Sequence, residues 1–572
     1  MDTRRAILWV IFSLSLLMLW DAWMRHSGQG SMFGTQQQPA ATEKEIATPS
    51  AVKDPSVPQA SAGVPSPSAP ATMPAALAVL PATQSQTFVL KNNEVEFVVD
   101  SQGGRLVKAI LLTQVSEAYE ANRVVLFDSS QARRYEAQSG LVGQNANQVS
   151  FPNHMSVFKQ AALQEGLDPK RHLALVSESG GVKLTKTYSL DESGYVLRVA
   201  HTVQNTGADA VSPQVYLQLM RNGDRPPGES KFYQTFIGPA IYTDEGKFQK
   251  IDFADVEKNK ASHVKNASDG WFGIVQHYFV SAWVPKNDAA REFYTRRIES
   301  NLYSVGLIQA LPVIAPGAQQ THEAVLFAGP QLQDTLAALA PGLDLVVDYG
   351  WLTFLAKPIY WLLEQLYDIV KNWGWSIVLL TVIIKLIFYP LSAASYKSMA
   401  KMKAVSPRLM KLRELYANDK GKLNQAMMEL YKTEKINPLG GCLPILVQIP
   451  VFIALYWVLL ASVEMRNAPW IFWVQDLSAP DDLFGVVPFL GMPIGLLPIL
   501  MAVTMYVQTK LNPPPPDPIQ AKVMMAMPIV FSIFFFFFPA GLVLYWLVNN
   551  ILSIAQQWYV MKQIEKTAAS HR

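Results

Sequence analysis

Long apolar segments crowd the C-terminal part of this 572-residue chain and restrict what it can fold into. Five of them are candidate membrane spans, at residues 375–391, 442–462, 486–507, 523–538 and 542–557. The first has 17 residues, enough for about 26 Å of helix, close to the thickness of a bilayer's hydrocarbon core. Only Pro539, Ala540 and Gly541 separate the last two, which predicts a hairpin break. We therefore expect a polytopic α-helical membrane protein.

A sixth span is predicted at the N-terminus. Arg4 and Arg5 precede an apolar run over residues 6–20, and Trp20 and Trp23 stand where a cleaved signal peptide needs small residues. We expect an uncleaved signal anchor over residues 1–24, with the arginines in the cytoplasm and the tryptophans at the opposite interface.

Charges between the spans support six crossings. Residues 397–435 contain ten Lys or Arg and four acids, the loop between 462 and 486 carries four acids and one arginine, and the tail 563–572 is basic. Basic loops stay cytoplasmic, so both termini should be cytoplasmic and the polar N-terminal half should lie on the opposite side of the membrane. The single cysteine, Cys442, excludes a disulfide framework.

The N-terminal half reads as a linker followed by β structure. Residues 25–83 are rich in Pro, Ala and Ser, which predicts a flexible tether. Apolar residues then alternate with polar ones, and a hairpin is expected where Val182, Leu184 and Tyr188 lead into a turn at 191–194. Residues 84–340 should form a large antiparallel β sandwich.

Two further helical elements are expected near the spans. Residues 341–374 contain a helix that is apolar on one side, which is typical of the membrane interface. Within 397–435, Ser406 and Pro407 should start a helical hairpin with a narrow apolar seam. Its basic surface could touch lipid headgroups, ribosomal RNA or emerging apolar segments, or could be a solvated loop that topology alone requires.

Lys385 is the most unusual residue of the spans, because a cation near mid-helix costs about 2.5–3.5 kcal/mol on insertion scales. It could snorkel to the interface or face a water-filled recess, and the other late spans offer no acid to pair with it. Polar residues at similar depth predict either a shared groove or ordinary interhelical hydrogen bonds; they are Thr381, Gln448, Thr504, Gln508, Ser532, Asn549, Asn550 and Ser553.

No pattern indicates an enzyme. The eight histidines are scattered, and nucleotide-binding, zinc-binding and serine-nucleophile motifs are all missing from the sequence. We expect no cofactor and no metal site. The net charge of +3 is too small to suggest binding to DNA.

Residues 437–452, which read Asn-Pro-Leu-Gly-Gly-Cys-Leu-Pro-Ile-Leu-Val-Gln-Ile-Pro-Val-Phe, closely resemble the YidC-type membrane protein insertases of the YidC/Oxa/Alb family. The likeness includes residues 389–391, 398–402, 477–479 and 538–545, and it spans about residues 340–562. The anchor and the large β domain resemble the Gram-negative form, which implies a periplasmic β-supersandwich related to sugar-binding folds and an insertase core over residues 375–562.

The resemblance implies a function and partners. Such insertases insert, fold and assemble integral membrane proteins, either independently of the Sec translocon or together with it and its accessory subunits. The partners would be nascent membrane proteins, the lipid bilayer, and the ribosome through the basic hairpin and tail. The chain would be a multi-pass protein of the bacterial inner membrane with its large domain in the periplasm.

The resemblance also implies site residues. A positive residue stands in a hydrophilic groove of these proteins, and Lys385 occupies its position where arginine is usual. Thr381 and Gln448 match groove positions. Trp546, beside Tyr545, matches an aromatic that contacts substrate in the last span.

Two other functions stay open at this level. A secondary transporter usually shows repeated halves and ion-coupling carboxylates at mid-depth, and neither is evident in the sequence. Alternatively, the β domain could be the working part, as a membrane-tethered sugar-binding module.

Overall fold

Two units make up the part of the chain that the computed structural model describes. The described residues are 55–59, 85–116, 122–130, 132–229, 235–416, 419–434, 443–487, 491–512 and 518–570. The β unit ends at Val347, and the helical unit covers the chain from Asp348 onward. The predicted anchor at 1–24 lies outside the described residues, as does most of the predicted linker.

The β unit contains eighteen strands among its described residues. They are β1 Thr87–Lys91, β2 Val95–Asp100, β3 Arg105–Val115, β4 Arg123–Ser130, β5 Arg133–Val142, β6 Lys159–Gln160, β7 His172–Ser179, β8 Val182–Leu190, β9 Val196–Asn205, β10 Gln214–Asn222, β11 Gly238–Thr243, β12 Lys247–Lys250, β13 Asn266–Ala267, β14 Trp271–Val275, β15 Phe279–Pro285, β16 Arg291–Glu299, β17 Leu302–Ala310 and β18 Gln319–Pro330. Two short helices, α1 Phe253–Glu257 and α2 Gln333–Leu339, accompany them.

These strands form two antiparallel sheets. The first sheet runs β1-β2-β3-β4-β5-β10-β17-β16-β13, and the second runs β12-β11-β14-β15-β18-β9-β8-β7-β6. Tyr188 of the second sheet donates a hydrogen bond to the carbonyl of Gly104, in the turn before β3 of the first, at 2.6 Å. Contacts of this kind hold the two sheets face to face.

The hairpin predicted around residues 182–203 is confirmed. In β8 each second residue is buried, from Val182 to Leu190, and β8 pairs with β9 without a break in register. Gly194 turns the chain with a φ of +83°, in the left-handed region where glycine has no steric penalty. The alternation therefore reports a sheet with one face in the core.

One 3₁₀ turn, Leu343–Val346, lies at the end of the β unit, and a second, Gly350–Leu352, lies at the start of the helical unit. Its helices are α3 Thr353–Val370, α4 Trp373–Ile387, α5 Tyr389–Leu415, α6 Lys420–Thr433, α7 Leu443–Ala461, α8 Leu496–Leu511, α9 Pro518–Phe535 and α10 Ala540–Ser570. Two short strands, β19 Val486–Val487 and β20 Met492–Pro493, pair before α8.

The helix α3 is apolar on two sides. One side is buried and includes Ala356, Ile359 and Leu363, whereas Phe354 and Trp361 on another side are exposed. A helix is therefore present over residues 353–370 of the segment predicted to be interfacial, and exposed aromatic residues of this kind are typical of helices at the boundary between headgroups and acyl chains.

Helix positions differ from prediction at two places. The segment at 486–507 becomes helical only from Leu496, because β19 and β20 form a hairpin at its start. Pro407 does not begin a helix as predicted, since it lies inside α5, which starts at Tyr389. The helical hairpin itself is present, and Val405 and Leu409 of α5 pack against Met427, Leu430 and Tyr431 of α6.

Within the described residues, no helix taken singly combines the length and apolar character needed to cross a membrane. The helices α4 and α5 pass that test as a pair, and they meet at a bend of 65°. The bend lies at Phe388, and Pro390 stands in the first turn of α5, where a proline costs no helical hydrogen bond.

Lys186 is a fully buried lysine in the β unit. Its ammonium donates to the carbonyls of Gly103 at 2.6 Å and Ser139 at 2.7 Å, and it lies 4.8 Å from the centre of the Phe158 ring. Burial, together with the charge of Arg105, lowers its pKa from 10.5 to about 7. The lysine thereby ties β8 of the second sheet to β5 and the Gly103 turn of the first.

This pKa predicts a pH-dependent stability. Between pH 7 and 10 the unfolded lysine holds a proton that the folded one has lost, so the contribution of Lys186 to the free energy of unfolding rises with pH, by at most about 1.4 kcal/mol per unit. Below pH 7 both states are protonated and the contribution is constant.

Pulse proteolysis in urea would measure this for the native chain and Lys186→Met at pH 7 and 9. We expect the advantage of the native β unit over the variant to grow by roughly 2 kcal/mol between those pH values. Lys183→Met, at a half-buried lysine on the same strand, is the control. A constant difference between the native chain and Lys186→Met would contradict the assignment.

Candidate functional site at Lys385

The helix α4 turns one face toward its neighbours, and Lys385 lies on that face. Asn372 caps the helix by accepting a hydrogen bond from the Trp375 N–H at 3.1 Å. The buried side chains recur every three or four residues and are Trp373, Ser376, Ile377, Leu380, Thr381, Ile384 and Lys385. The apolar sequence makes the helix, and this spacing carries the lysine into the interior of the helical unit.

The ammonium of Lys385 is 4% exposed and donates to the Ser553 hydroxyl of α10 at 2.7 Å. That hydroxyl in turn donates to the Asn549 carbonyl at 2.7 Å, one helical turn earlier. Tyr396 of α5 donates to the Ser553 carbonyl at 3.4 Å. Ser553 of α10 therefore accepts hydrogen bonds from both α4 and α5 and joins the three helices.

Two of the three N–H donors of Lys385 have no acceptor among the described residues, and no described carboxylate forms an ion pair with it. A buried ammonium is unfavourable when some of its N–H donors lack acceptors. Water or an anionic group can supply those acceptors. The residues present can therefore accept an acidic or carbonyl oxygen at this position.

Thr381 lies one turn before Lys385 on the same face of α4 and is buried. Its hydroxyl donates to the Ile377 carbonyl at 2.6 Å and makes no bond to the lysine. It adds a polar surface to the site, and its own hydrogen bond is already satisfied within the helix.

A stripe of buried polar residues runs along α10, at Asn550, Ser553 and Gln557. The Asn550 amide donates to the Thr504 hydroxyl of α8 at 3.3 Å, and the Gln557 amide donates to the Leu511 carbonyl at 3.3 Å. Sequence analysis named Asn550 and Ser553 but missed Gln557 and Tyr396. The spacing of three and four residues along the last apolar segment was the signal for Gln557.

Two of the other predicted site residues, Trp546 and Tyr545, belong to an aromatic cluster. Trp546 meets Phe452 of α7 edge to face at 4.6 Å between ring centres, and Phe535 of α9 at 5.4 Å. Tyr545 stacks on the same Phe452 at 6.1 Å. Gln448 is half-buried one turn before Phe452, and no described hydrogen bond joins it to Lys385 or Ser553.

The polar and aromatic groups share one side of α10. Trp546 precedes Ser553 by seven residues, which places both on the same face about 10 Å apart. The indole N–H of Trp546 is buried and lacks a hydrogen-bond acceptor among the described residues. Ser553, which accepts from Lys385, thus lies at one end of this face of α10, and Trp546 lies at the other.

This arrangement can bind and solvate a peptide. A cation, hydroxyls and amides offer hydrogen bonds to polar atoms, and the aromatic rings offer apolar contact. Among the described residues, no group of three or more His, Cys, Asp or Glu could hold a metal ion.

Comparisons with known proteins give a family match for each of the two units. A family model described as "60Kd inner membrane protein" matches residues 365–567, and one described as "YidC periplasmic domain" matches residues 87–362. The chain is 50% identical to the membrane protein insertase YidC of Janthinobacterium sp. (strain Marseille), over 99% of each chain. It is 52% identical to that of Cupriavidus necator, over 100% of this chain and 99% of the relative.

Among solved structures, the chain is similar to an active YidC insertase crystal structure with the first transmembrane domain resolved. The identity is 19%, the match covers 84% of this chain and 93% of the other, and the TM-score is 0.36. A superposition at that score does not establish shared geometry, so the relationship rests on the family models and the sequence relatives.

The contact between Lys385 and Ser553 can be tested by stability. Ser553→Ala removes the one acceptor described for the buried ammonium, and we expect a loss of about 1–3 kcal/mol in the free energy of unfolding. Thermal unfolding of the detergent-solubilised chain should show a lowered Tm.

Ser532→Ala is the matched control, because Ser532 is also buried but its hydroxyl bonds only the Pro528 carbonyl of its own helix. Equal losses of Tm in the two variants would show that Ser553 does not support the lysine.

Proposed function

The chain belongs to the family of YidC membrane protein insertases, and from that premise we propose that the polar and aromatic face around Lys385 is its insertion groove. It is an inner membrane protein with a β-rich periplasmic domain and a helical C-terminal core. Its function is to insert nascent membrane proteins, and it is not an enzyme.

The observation that carries the proposal is the buried ammonium of Lys385 with two unused donors. A polar segment that crosses hydrocarbon leaves its polar groups without partners, at a cost of several kcal/mol each. A groove lined by Lys385, Thr381 and Ser553 lowers that cost for a short translocated tail, since it offers hydrogen bonds partway across the bilayer. The lysine also attracts acidic residues of the tail.

Apolar spans of the client leave along a different surface. The helices α8 and α9 expose many apolar side chains to the outside of the helical unit, among them Val503, Tyr506, Val507, Met525, Ile529, Ile533 and Phe534. Trp546 contacts Phe535 of α9, with 5.4 Å between ring centres. Solvation and binding then perform the insertion, without nucleotide hydrolysis.

The membrane topology belongs to the same proposal. Six spans place both termini in the cytoplasm, with the anchor at 1–24, the linker at 25–83, the β domain at 84–340, the interfacial segment at 341–374, the core at 375–562 and the basic tail at 563–572. The support is the alternation of basic and acidic loops, read with the positive-inside rule.

We assign contacts with the ribosome to the basic hairpin of α5 and α6 and to the tail. The hairpin carries ten basic residues over 397–435, and its two helices are held together by the seam of Val405 and Leu409. Arg408 also pairs with Glu434 at 2.5 Å. For larger clients the insertase would work beside the Sec translocon and its accessory subunits.

Charge substitutions at Lys385 test whether its positive charge contributes to insertion. We expect Lys385→Arg to keep insertion close to the native level because the positive charge is retained, and Lys385→Glu to reduce it about tenfold or more, because a buried acid repels acidic tails. Insertion of a small substrate with an acidic translocated tail, in cells depleted of the native insertase, is the measurement.

Lys510→Glu is the control, since it reverses the charge of an exposed lysine at the end of α8. Equal activity of Lys385→Arg and Lys385→Glu would remove the electrostatic role of the groove.

Photocrosslinking places the substrate directly. A photoreactive amino acid at Thr381, Lys385 or Trp546 should crosslink to the nascent chain of a two-span membrane protein during its synthesis. Position Lys183 in the β unit serves as the negative control. If all three groove positions stayed silent while the substrate still inserted, the working surface would have to be the hairpin or the lipid-facing helices.

A further inference from the structure

Five residues of the predicted linker, Pro55–Gln59, lie against the β unit. Ser56 is 9% exposed and Pro58 is buried, whereas Pro55 and Gln59 at the two ends are exposed. A tether without structure was predicted for these residues. At this place the chain instead runs through a set of hydrogen bonds to the first sheet.

The surface under this segment is one face of four adjacent strands. Gln218 of β10 is paired with Gln138 of β5 on one side and with Gly306 of β17 on the other. Gly306 is in turn paired with Tyr294 of β16. Residues directly opposite each other in an antiparallel sheet share a face. We call this surface the polar face, and it consists of Glu136, Gln138, His154, Gln218, Tyr294 and Arg296.

Gly306 keeps the middle of the polar face open. A Cβ at this position would lie 2.4 Å from the Tyr294 hydroxyl oxygen, too close for any side chain. Because glycine stands there, the Tyr294 ring crosses the strand and its hydroxyl donates to the Gln218 amide oxygen at 2.8 Å. This hydrogen bond leaves the NH₂ group of Gln218 for other partners.

A chain of hydrogen bonds then aims that NH₂ group at the segment. Arg105 donates to Glu136 at 3.1 Å, and the Glu136 carboxylate accepts from the Gln138 amide at 3.0 Å. The Gln138 oxygen accepts from Gln218 at 2.6 Å, and Gln218 also donates to the Ser56 carbonyl at 3.1 Å. The buried amides are thus fixed in the orientation that presents a donor to a main-chain carbonyl.

His154 is a second residue of the polar face that contacts Ser56. One of its ring nitrogens bonds the Ser56 hydroxyl at 2.9 Å, and the other bonds the Tyr216 hydroxyl. Gly103 supports the backbone of His154, since a Cβ there would lie 2.0 Å from the His154 carbonyl oxygen. On the far side, Arg296 reaches the carbonyls of Ser56 and Val57 at 3.4 Å each.

From these contacts we propose that the polar face is a peptide-binding site, occupied in cis by Pro55–Gln59. The described bonds go to two main-chain carbonyls and one hydroxyl, groups that an extended peptide presents without any large side chain. Proline at positions 55 and 58 has no N–H to satisfy and favours an extended backbone, which lowers the entropy lost on binding.

The ligand class is therefore an extended, proline-containing segment with a small hydroxyl residue, and a second peptide of that kind binds when it displaces the chain's own segment. This inference concerns only the β unit and does not rest on the groove at Lys385.

Thiol labelling of the full chain in lipid nanodiscs tests the occupancy. The background is Cys442→Ser, which removes the single native cysteine. Ser56→Cys places a thiol at the buried position, and Gln59→Cys places one at the exposed end of the same segment. We expect a maleimide to react at position 56 at least about tenfold more slowly than at position 59.

Gln218→Ala should then accelerate labelling at position 56 several-fold and leave position 59 unchanged, because it removes the amide donor to the Ser56 carbonyl. A variant that failed to fold would be recognised by protease sensitivity of the β unit. Equal labelling at positions 56 and 59 in the parent background would overturn the proposal.

Competition tests whether the site accepts a second peptide. A synthetic peptide of residues 51–63, at millimolar concentration, should raise the labelling rate at position 56, whereas the same peptide with both prolines and both serines replaced by glycine should not. Slow labelling that neither peptide changes would also overturn the proposal, and it would identify Pro55–Gln59 as a fixed clasp of the β unit. The groove variants at Lys385 provide a separate readout, since their insertion activity does not depend on this labelling.

Discussion

Removing a lysine ammonium from water is costly, and among the described residues each of the two units buries one lysine, whose contacts organise its surroundings. Lys186 in the β unit has two short bonds to carbonyls on the opposite sheet, and its pKa falls to about 7. Lys385 in the helical unit has a single described bond, to Ser553. Lys186 thus connects the two sheets of the β unit, whereas Lys385 keeps N–H donors that a bound group can use.

The same contrast separates the two surfaces that can hold a peptide. On the polar face of the β unit, the donor of Gln218 is already engaged by the carbonyl of Ser56 from the chain itself. In the groove, two of the three donors of Lys385 and the indole N–H of Trp546 have no acceptor among the described residues. A buried donor that lacks a partner is unfavourable alone and becomes favourable when a client supplies oxygen. The polar face is therefore suited to holding the chain's own segment, whereas the groove is suited to binding a client.

Sequence reasoning predicted contacts between residues that are close in sequence and missed contacts between residues that are far apart. The period-two burial of β8 and its turn at Gly194 are properties of neighbouring residues, so the hairpin was predictable. The pairing of β10 with β5 and β17 joins strands far apart in sequence, and no local pattern encodes it. In the same way, Lys385 was recognisable as an isolated cation, but its bond to Ser553, 168 residues later, was not. The contacts of Ser56 were missed because proline-rich composition indicates a linker and says nothing about a bound segment.

The length of α10 has a mechanical consequence. It is continuous over 31 residues, about 46 Å, and neither proline nor glycine interrupts it after Gly541. The hydrocarbon core is only about 30 Å thick, so roughly ten residues extend past it if the helix stands upright. Trp558, with the ammonium of Lys562 4.7 Å from its ring centre, lies where such a helix would leave the bilayer. Because neither proline nor glycine interrupts α10 between Trp546 and Lys562, the sequence provides no hinge there, and a rigid displacement of the helix at one of these residues would also displace the other.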